Sequence, residues 1–231
     1  MTTTTVPDLL HGTSLFSGMT GPDIAAIVAQ GRELTFDAGE LLFMEGDPAT
    51  MFYVLLEGNV RLSRLSATGK QVIMHLFGPG DEIAVIAAIS EIPYPASAEA
   101  QTAVRVLSWS SEPTLALMND YPALAVNALR LVTRRYVVLQ SRFQDLATRR
   151  VEQRIASELL RLARQNSQQN GGGLLLNVPL TRQDIAELTG TTLHTVSRIC
   201  SSWEQAAIIQ TDKRKIAILV PDALRELAEL P

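Results

Sequence analysis

One cysteine, Cys200, and three histidines are all the thiol and imidazole groups the 231-residue chain has. A lone cysteine excludes a disulfide framework within the chain and any single-chain site of the usual four-thiolate kind, so an iron–sulfur cluster is ruled out. The histidines, His11, His75 and His194, lie too far apart in sequence for a metal-spaced motif. There is also no Ser/His/Asp set and no phosphate-cradling glycine loop, so the sequence does not point to an enzyme. No apolar run approaches the roughly 18 residues of a membrane span, and the opening MTTTTVPDLLHG lacks a positive segment followed by an apolar core. The expectation is a cytoplasmic protein with no membrane partner. Bulk positive charge is missing as well: the net charge is −4 and the pI about 5.4, which argues against a general nucleic-acid coat.

That charge is unevenly spread. From residue 148 to the end there are 11 Lys and Arg against 9 Asp and Glu, a surplus of about two that leaves the front of the chain near −6. The surplus accompanies the most specific stretch of the sequence, TRQDIAELTGTTLHTVSRICSSWE, residues 181–204. Ile185, Ala186 and Leu188 share one helical face, Gly190 ends that helix where a left-handed backbone is cheap, and Val196 and Ile199 restore an apolar face. Two short helices packed at a steep angle follow. Small Ala186 lets them approach closely. Thr181, Arg182, Thr192, His194, Thr195, Ser197 and Arg198 are then available to phosphates and base edges of double-stranded DNA. Beyond them, Lys213, Arg214 and Lys215 precede the apolar run Ile216–Val220, a hairpin with a basic tip suited to phosphate.

Between Leu34 and Ser108 the chain breaks into short apolar stretches bounded by Gly, Asp, Pro or Asn, including 40–44, 51–56 and 59–63. Many short strands with regular turns predict an all-β barrel or sandwich, with a helix from Leu15 to Gln30 packed on it. Next comes a long helix, 123–147, in which Leu129, Val132, Tyr136, Leu139, Phe143 and Leu146 alternate at spacings of three and four. That is a heptad seam and predicts a homodimer.

The run AGELLFMEGDPATMFYVLLEGNVRL, the later FGPGDEI and the helix-turn-helix with its wing together resemble the CRP/FNR family of bacterial transcription regulators, over almost the whole chain. The resemblance implies an α+β chain. It has an N-terminal cyclic-nucleotide-binding-type β jelly roll (1–122), a long dimerisation helix (123–147) and a C-terminal winged helix-turn-helix (148–231). It further implies a homodimer on a palindromic DNA site with RNA polymerase as a partner; activators of the family touch the polymerase through surface loops, and repression stays open beside a role as activator. The Asn166–Gly173 stretch occupies the place of one polymerase-contacting loop, although its Gly/Gln/Asn composition also describes a mobile connector.

The same likeness bears on the effector. Cyclic-AMP-binding members carry a Gly-Glu pair and an Arg-Ser pair that hold ribose and phosphate; Ala84-Val85 and Pro95-Ala96 stand in their places here. An unpaired buried phosphate costs several kcal/mol, so cyclic AMP is not expected. The expected pocket is apolar, lined by Phe77, Ile83, Val85, Ile86, Ile89 and Leu139, with His75 on the strand leading in. Such walls with one imidazole would suit haem or an apolar effector. The stretch GTTLHTVSRICSSWE is similar to denitrification regulators that respond to nitric oxide; His194 takes the place of a glutamate and Ser197 that of a glycine. The competing reading is a ligand-binding module that acts through protein partners, its helix-turn-helix used for docking.

Overall fold

The computed structural model describes residues 6–90, 92–165, 167–170 and 172–229. It divides into two compact units: the residues up to Arg64 with Leu76–Val138, and Leu65–His75 with Leu139 onward.

The first unit begins with α1 (Val6–His11) and α2 (Gly21–Val28). The expected 15–30 helix is shorter because Thr20 starts it: extended backbone at Thr20, Pro22 in the first turn and a Thr20 hydroxyl accepting from Asp23 N–H form its N-cap. Eight strands follow in the chain: β1 (Arg32–Phe36), β2 (Leu41–Phe43), β3 (Met51–Glu57), β4 (Val60–Leu65), β5 (Gln71–Phe77), β6 (Glu82–Ile83), β7 (Ser97–Ala100) and β8 (Val104–Ser110), of which β5 lies mostly in the Leu65–His75 segment of the second unit. They form two four-stranded sheets, ordered β1-β8-β3-β6 and β2-β7-β4-β5, with α3 (Val85–Ser90) between β6 and β7. The sheet pair is the β roll the sequence predicts.

Strand β3 explains how the core divides. Successive side chains point to opposite faces, and Phe52 to Leu56 are all buried, so both faces are covered. Tyr53 and Leu55 enter the roll interior with Phe43, Phe77, Ile83 and Tyr94, whereas Phe52, Val54 and Leu56 join an outer cluster with Ile24, Trp109 and Leu124. In that outer cluster Trp109 stacks on Phe52 at 4.9 Å and donates from its indole to Ile27 O at 3.0 Å. The segment before α2 is tied to the same core. Glu82, 3% exposed, accepts the Leu15 N–H at 2.7 Å, and Asn127 donates to Leu15 O and Ser17 O, both at 2.9 Å.

Helix α4 (Ser111–Asp120) leads into α5 (Pro122–Thr148), one residue longer at each end than expected. Its N-terminal half buries Leu124, Asn127, Ala128 and Leu131, and its predicted seam stays open: Leu129, Tyr136, Leu139, Phe143 and Leu146 are 54–73% exposed, with Val132 half-buried. An apolar row at heptad spacing facing water is what a seam without its partner presents.

The second unit contains α6 (Val151–Gln165), β9 (Ser167–Asn170), β10 (Gly173–Leu176), α7 (Arg182–Thr189), α8 (Leu193–Gln205), β11 (Ile209–Asp212), β12 (Lys215–Ile218) and α9 (Pro221–Glu229). Its sheet runs β11-β12-β10-β9, all antiparallel. The connector reading of Asn166–Gly173 is corrected here: Ser167–Asn170 pair with Gly173–Leu176 as a hairpin, while Asn166 and Gly171 lie outside the described residues. Sheet pairing to β12 supplies what the polar composition did not signal. No helix among the described residues is long and apolar enough to cross a membrane.

Candidate nucleic-acid interface

Both helices of the 181–205 segment are started by threonines. Thr181 Oγ1 accepts from Asp184 N–H at 3.1 Å while Thr181 N–H donates to Asp184 Oδ2 at 2.7 Å, a reciprocal capping box. Thr192 Oγ1 accepts from Thr195 N–H at 3.2 Å and lies 2.9 Å from the Thr195 hydroxyl. Between the helices Gly190 adopts φ 64°, and a side chain there would also meet Leu146 Cδ2 at 3.4 Å. Non-glycine residues take this conformation only at a cost.

Helix α8 then separates into two faces. Val196, Ile199, Cys200 and Trp203 are at most 4% exposed and hold the helix on its unit. Burial pushes the Cys200 thiol up to about 11, so it acts as a small core residue rather than a nucleophile. His194 and Arg198 are exposed, one turn apart, and neither has a side-chain partner assigned among the described residues. Thr195 and Ser197 are half-buried beside them, and Ser202 and Gln205 extend the exposed row further along the helix. The sequence reading ended that row at Arg198; continuing the i, i+4 spacing past it would have reached Ser202.

Arg182 has a different place. Its guanidinium donates to Glu204 Oε2 at 2.9 Å and to Ser201 Oγ at 3.3 Å, and Glu204 also accepts from the Thr211 hydroxyl. This clasp joins α7, α8 and β11 and fixes the angle between the helices and the wing. Three residues expected to contact DNA, Thr181, Arg182 and Thr192, therefore have local structural partners.

The wing tip is the two-residue turn Lys213-Arg214 between Asp212 and Lys215, which pair in the β11–β12 ladder. Lys213, Arg214 and Lys215 are all exposed. Lys213 sits at φ 52°, where glycine or asparagine is usual, while the Arg214 carbonyl accepts the Leu180 N–H at 2.8 Å. A lysine there costs folding roughly 1 kcal/mol and places an ammonium at the extreme of the hairpin.

Beneath these elements lies a buried ion triad. Glu158, 6% exposed, receives Arg142 at 2.7 Å and Arg161 at 2.9 Å, and Arg142 also donates to Met74 O at 2.6 Å. Burial alone would raise the Glu158 carboxyl, but the two guanidinium groups prevail and its pKa is lowered; burial lowers that of Arg142. No sequence signal pointed to this triad.

On the sensing side the expected pocket residues divide. Phe77 and Ile83 are in the roll interior, Ile86 and Ile89 are half-buried on α3, and His75 is half-buried on β5 with an interaction partner of its own. Val85 is a correction: it is fully buried in the outer cluster, and Ala84 and Ala87 face the roll instead. Ala84 has φ 63°, the backbone a glycine would adopt freely. Leu139 belongs to the second unit. The interior holds the rings of Phe43, Tyr53, Phe77 and Tyr94 among aliphatic side chains, with Phe43 stacked on Tyr94 at 3.9 Å. The Arg135 guanidinium lies 5.4 Å over the Phe77 ring, donates to Glu82 O and sits between the charges of Glu82 and Asp81. The sequence reading missed this cation, which comes from α5 and not from the pocket segment.

The cyclic nucleotide-binding domain family matches residues 33–121 and the Crp-like helix-turn-helix family residues 153–227. The chain is 27% identical over 211 residues to the CRP-like cAMP-activated global transcriptional regulator of Mycobacterium tuberculosis, covering 91% of this chain and 94% of the relative. It is 30% identical over 196 residues to the global nitrogen regulator of Synechocystis, covering 83% and 86%. Among solved structures, FixK2 from Bradyrhizobium japonicum superposes with a TM-score of 0.77 at 22% identity, covering 87% of this chain and 98% of that one. The two family matches flank α5 in the chain, the nitrogen regulator aligns over 83% of it at 30% identity, and the chain belongs to the CRP/FNR family of effector-responsive transcription regulators.

Proposed function

We propose that the chain acts as a homodimer that reads a two-fold symmetric DNA site through α8 and holds phosphate with its wing. The observation that carries this is the asymmetry of α8: an apolar face at most 4% exposed, and an opposite row in which His194 and Arg198 stand in solvent without assigned partners. A helix used only for protein docking has no need of an unpaired guanidinium beside a basic wing. Arg198 offers two parallel donors to O6 and N7 of a guanine, and His194 selects a neighbouring base. Lys213, Arg214 and Lys215 set register on the backbone. The open row on α5 supplies the two-fold axis that turns one recognition helix into two half-sites.

The two contact classes separate by experiment. In anisotropy titrations on half-site variants, Arg198→Ala should cost about 1 to 3 kcal/mol and flatten preference at one guanine. Lys213→Ala should weaken all sequences alike. An Arg198→Ala protein with unchanged affinity and preference refutes the reading and favours the docking alternative.

The effector in this reading is not cyclic AMP. The segment that would hold ribose and phosphate is Ala84-Val85, with Val85 turned out of the roll, and Arg135 is already engaged by Glu82 and Asp81. Cyclic AMP at millimolar concentration should leave the melting temperature unchanged, because a ligand of the folded state must raise it. Haem is the second reading. His75 shares a β5 face with Ile73 and Phe77, so an imidazole is present on the inward face, although its existing partner would have to be displaced. A Soret band on anaerobic addition of haem, altered by His75→Ala, is the expected signature; no band removes haem.

A further inference from the structure

The exposed half of the α5 seam borders a cavity of about 200 Å³ within the second unit. Four of its lining residues, Leu139, Arg142, Phe143 and Leu146, are at positions i, i+3, i+4 and i+7 of one helix. That is the four-residue hole that accepts a knob in a parallel coiled coil. The seam register places Leu129, Tyr136 and Phe143 at one core position of the heptad and Val132, Leu139 and Leu146 at the other. In a parallel two-stranded coil the hole bounded by 139, 142, 143 and 146 faces residue 143 of the opposing helix.

The hole is deeper than a helix alone would make it. Val72 and Met74 of β5 form one wall and Leu188 of α7 another. Arg142 also lines the cavity, with its guanidinium bonded to Glu158 and to Met74 O. Phe143 itself is 73% exposed, the most open of the seam residues. A dry cavity of about 150 Å³ accepts a benzene ring, so this one has room for a phenyl side chain.

We propose that the cavity is the socket for Phe143 of a second copy of the chain, so that the dimer seam at this layer is completed by the β4–β5 hairpin and by the first helix of the helix-turn-helix. The proposal rests on α5 being the dimer helix. It adds that α7 is part of the dimer contact. Leu146, on the same rim, is also the side chain nearest Gly190, so closing the seam at this layer holds the turn between the DNA-reading helices.

Met74 and Val72 test the proposal because they lie off the helix seam and are 37% and 42% exposed in the protomer. Met74→Glu and Val72→Glu should each raise the dimer dissociation constant in sedimentation by at least about tenfold, with melting curves showing both variants folded. Val132→Asp, on the seam but outside the socket, serves as the reference. If it dissociates the dimer while both hairpin variants leave the constant unchanged, the socket falls and the seam stands. If the wild-type protein is a monomer, both fall.

A cross-link gives a second readout that folding defects do not mimic. Differently tagged chains carrying Phe143→Cys and Met74→Cys are mixed and oxidised; the buried native Cys200 stays out of the reaction. A disulfide joining the two tags is the expected product. Phe143→Cys chains also link to one another across the seam, so the result that would overturn the socket is the absence of any disulfide between the two tags, which leaves the cavity to a small apolar molecule.

Discussion

Glu158→Ala should cost the second unit about 3 to 5 kcal/mol, far more than loss of an average side chain. The magnitude follows from what is left behind. Glu158 is 7% exposed in its side chain, and its two partners, Arg142 and Arg161, are 20% and 16% exposed. Removing the carboxylate strands two mostly buried guanidinium groups, one of which keeps only its bond to Met74 O among the contacts described above. Replacing all three with methionine, Glu158→Met, Arg142→Met and Arg161→Met, removes every charge of the triad at similar volume and should recover much of the loss. Urea unfolding followed by Trp203 fluorescence in a Trp109→Phe background reports on this unit.

The pH dependence of the same carboxylate gives an independent check. Its folded pKa is lowered from the ordinary 4.5, so its contribution is fully present above that value and is lost as pH falls through the lower folded value. The acid limb of the wild-type stability curve should therefore be steeper than that of Glu158→Gln. A Glu158→Ala cost below about 1 kcal/mol, or identical acid limbs, would show that the triad is a loose surface pairing.

Three other outcomes follow from particular residues. Burial first, and the charge of Glu82, push the Asp81 carboxyl up to about 6, against the Gly78 N–H and Arg135, so the folded state holds its proton more tightly than the unfolded chain. Stability of the first unit should consequently fall between about pH 4 and pH 6, by an amount of order 2 kcal/mol, and Asp81→Asn should abolish that slope in pH-dependent melting. Ala84→Gly should raise the melting temperature, gaining about 1 kcal/mol from relief of its positive φ; a lower temperature would mean that the α3 turn is unstrained. Lys213→Gly should move stability and function in opposite directions: slightly tighter folding, DNA binding weakened for every sequence, and a salt slope smaller by about one.

What could be read from the sequence depended on whether the signal was local. The helix-turn-helix was legible because a left-handed glycine and the apolar faces on either side of it fall within 25 residues and agree with one another, whereas the capping role of Thr181 and Thr192 was not read. The α5 seam was legible because heptad spacing is itself a statement about one face. The sensing pocket was not. From Ile83 to Ile89 every residue is apolar, so no polar position marks which side of α3 meets solvent, and Val85, expected in the pocket, joins the outer cluster while Ala84 and Ala87, which were not singled out for it, face the roll. The ion triad joins residues 16 positions apart on α5 and α6, with no periodicity to announce it. The β9 strand was hidden by composition, since Ser, Gln and Asn resemble a connector until β10 supplies the ladder.

An acidic protein that binds DNA is a paradox only while charges are counted by composition. In the second unit Glu158 is taken up by two arginines, Glu204 by Arg182 and Thr211, Asp184 by the α7 cap, and Glu152 by the indole of Trp203. Each of these acidic groups has a partner within the chain, Glu158 and Asp184 are buried, and several arginines are held with them. The cations without assigned partners include Arg198 on α8 and Lys213 and Lys215 on the wing. Internal pairing thus converts a surplus of about two charges into a locally positive face, and the field a phosphate backbone meets is set by which charges remain unpaired. The same logic accounts for the backbone at Lys213. A glycine would turn the hairpin more cheaply, and a lysine held there at a folding cost is intelligible if its ammonium has a partner outside the chain.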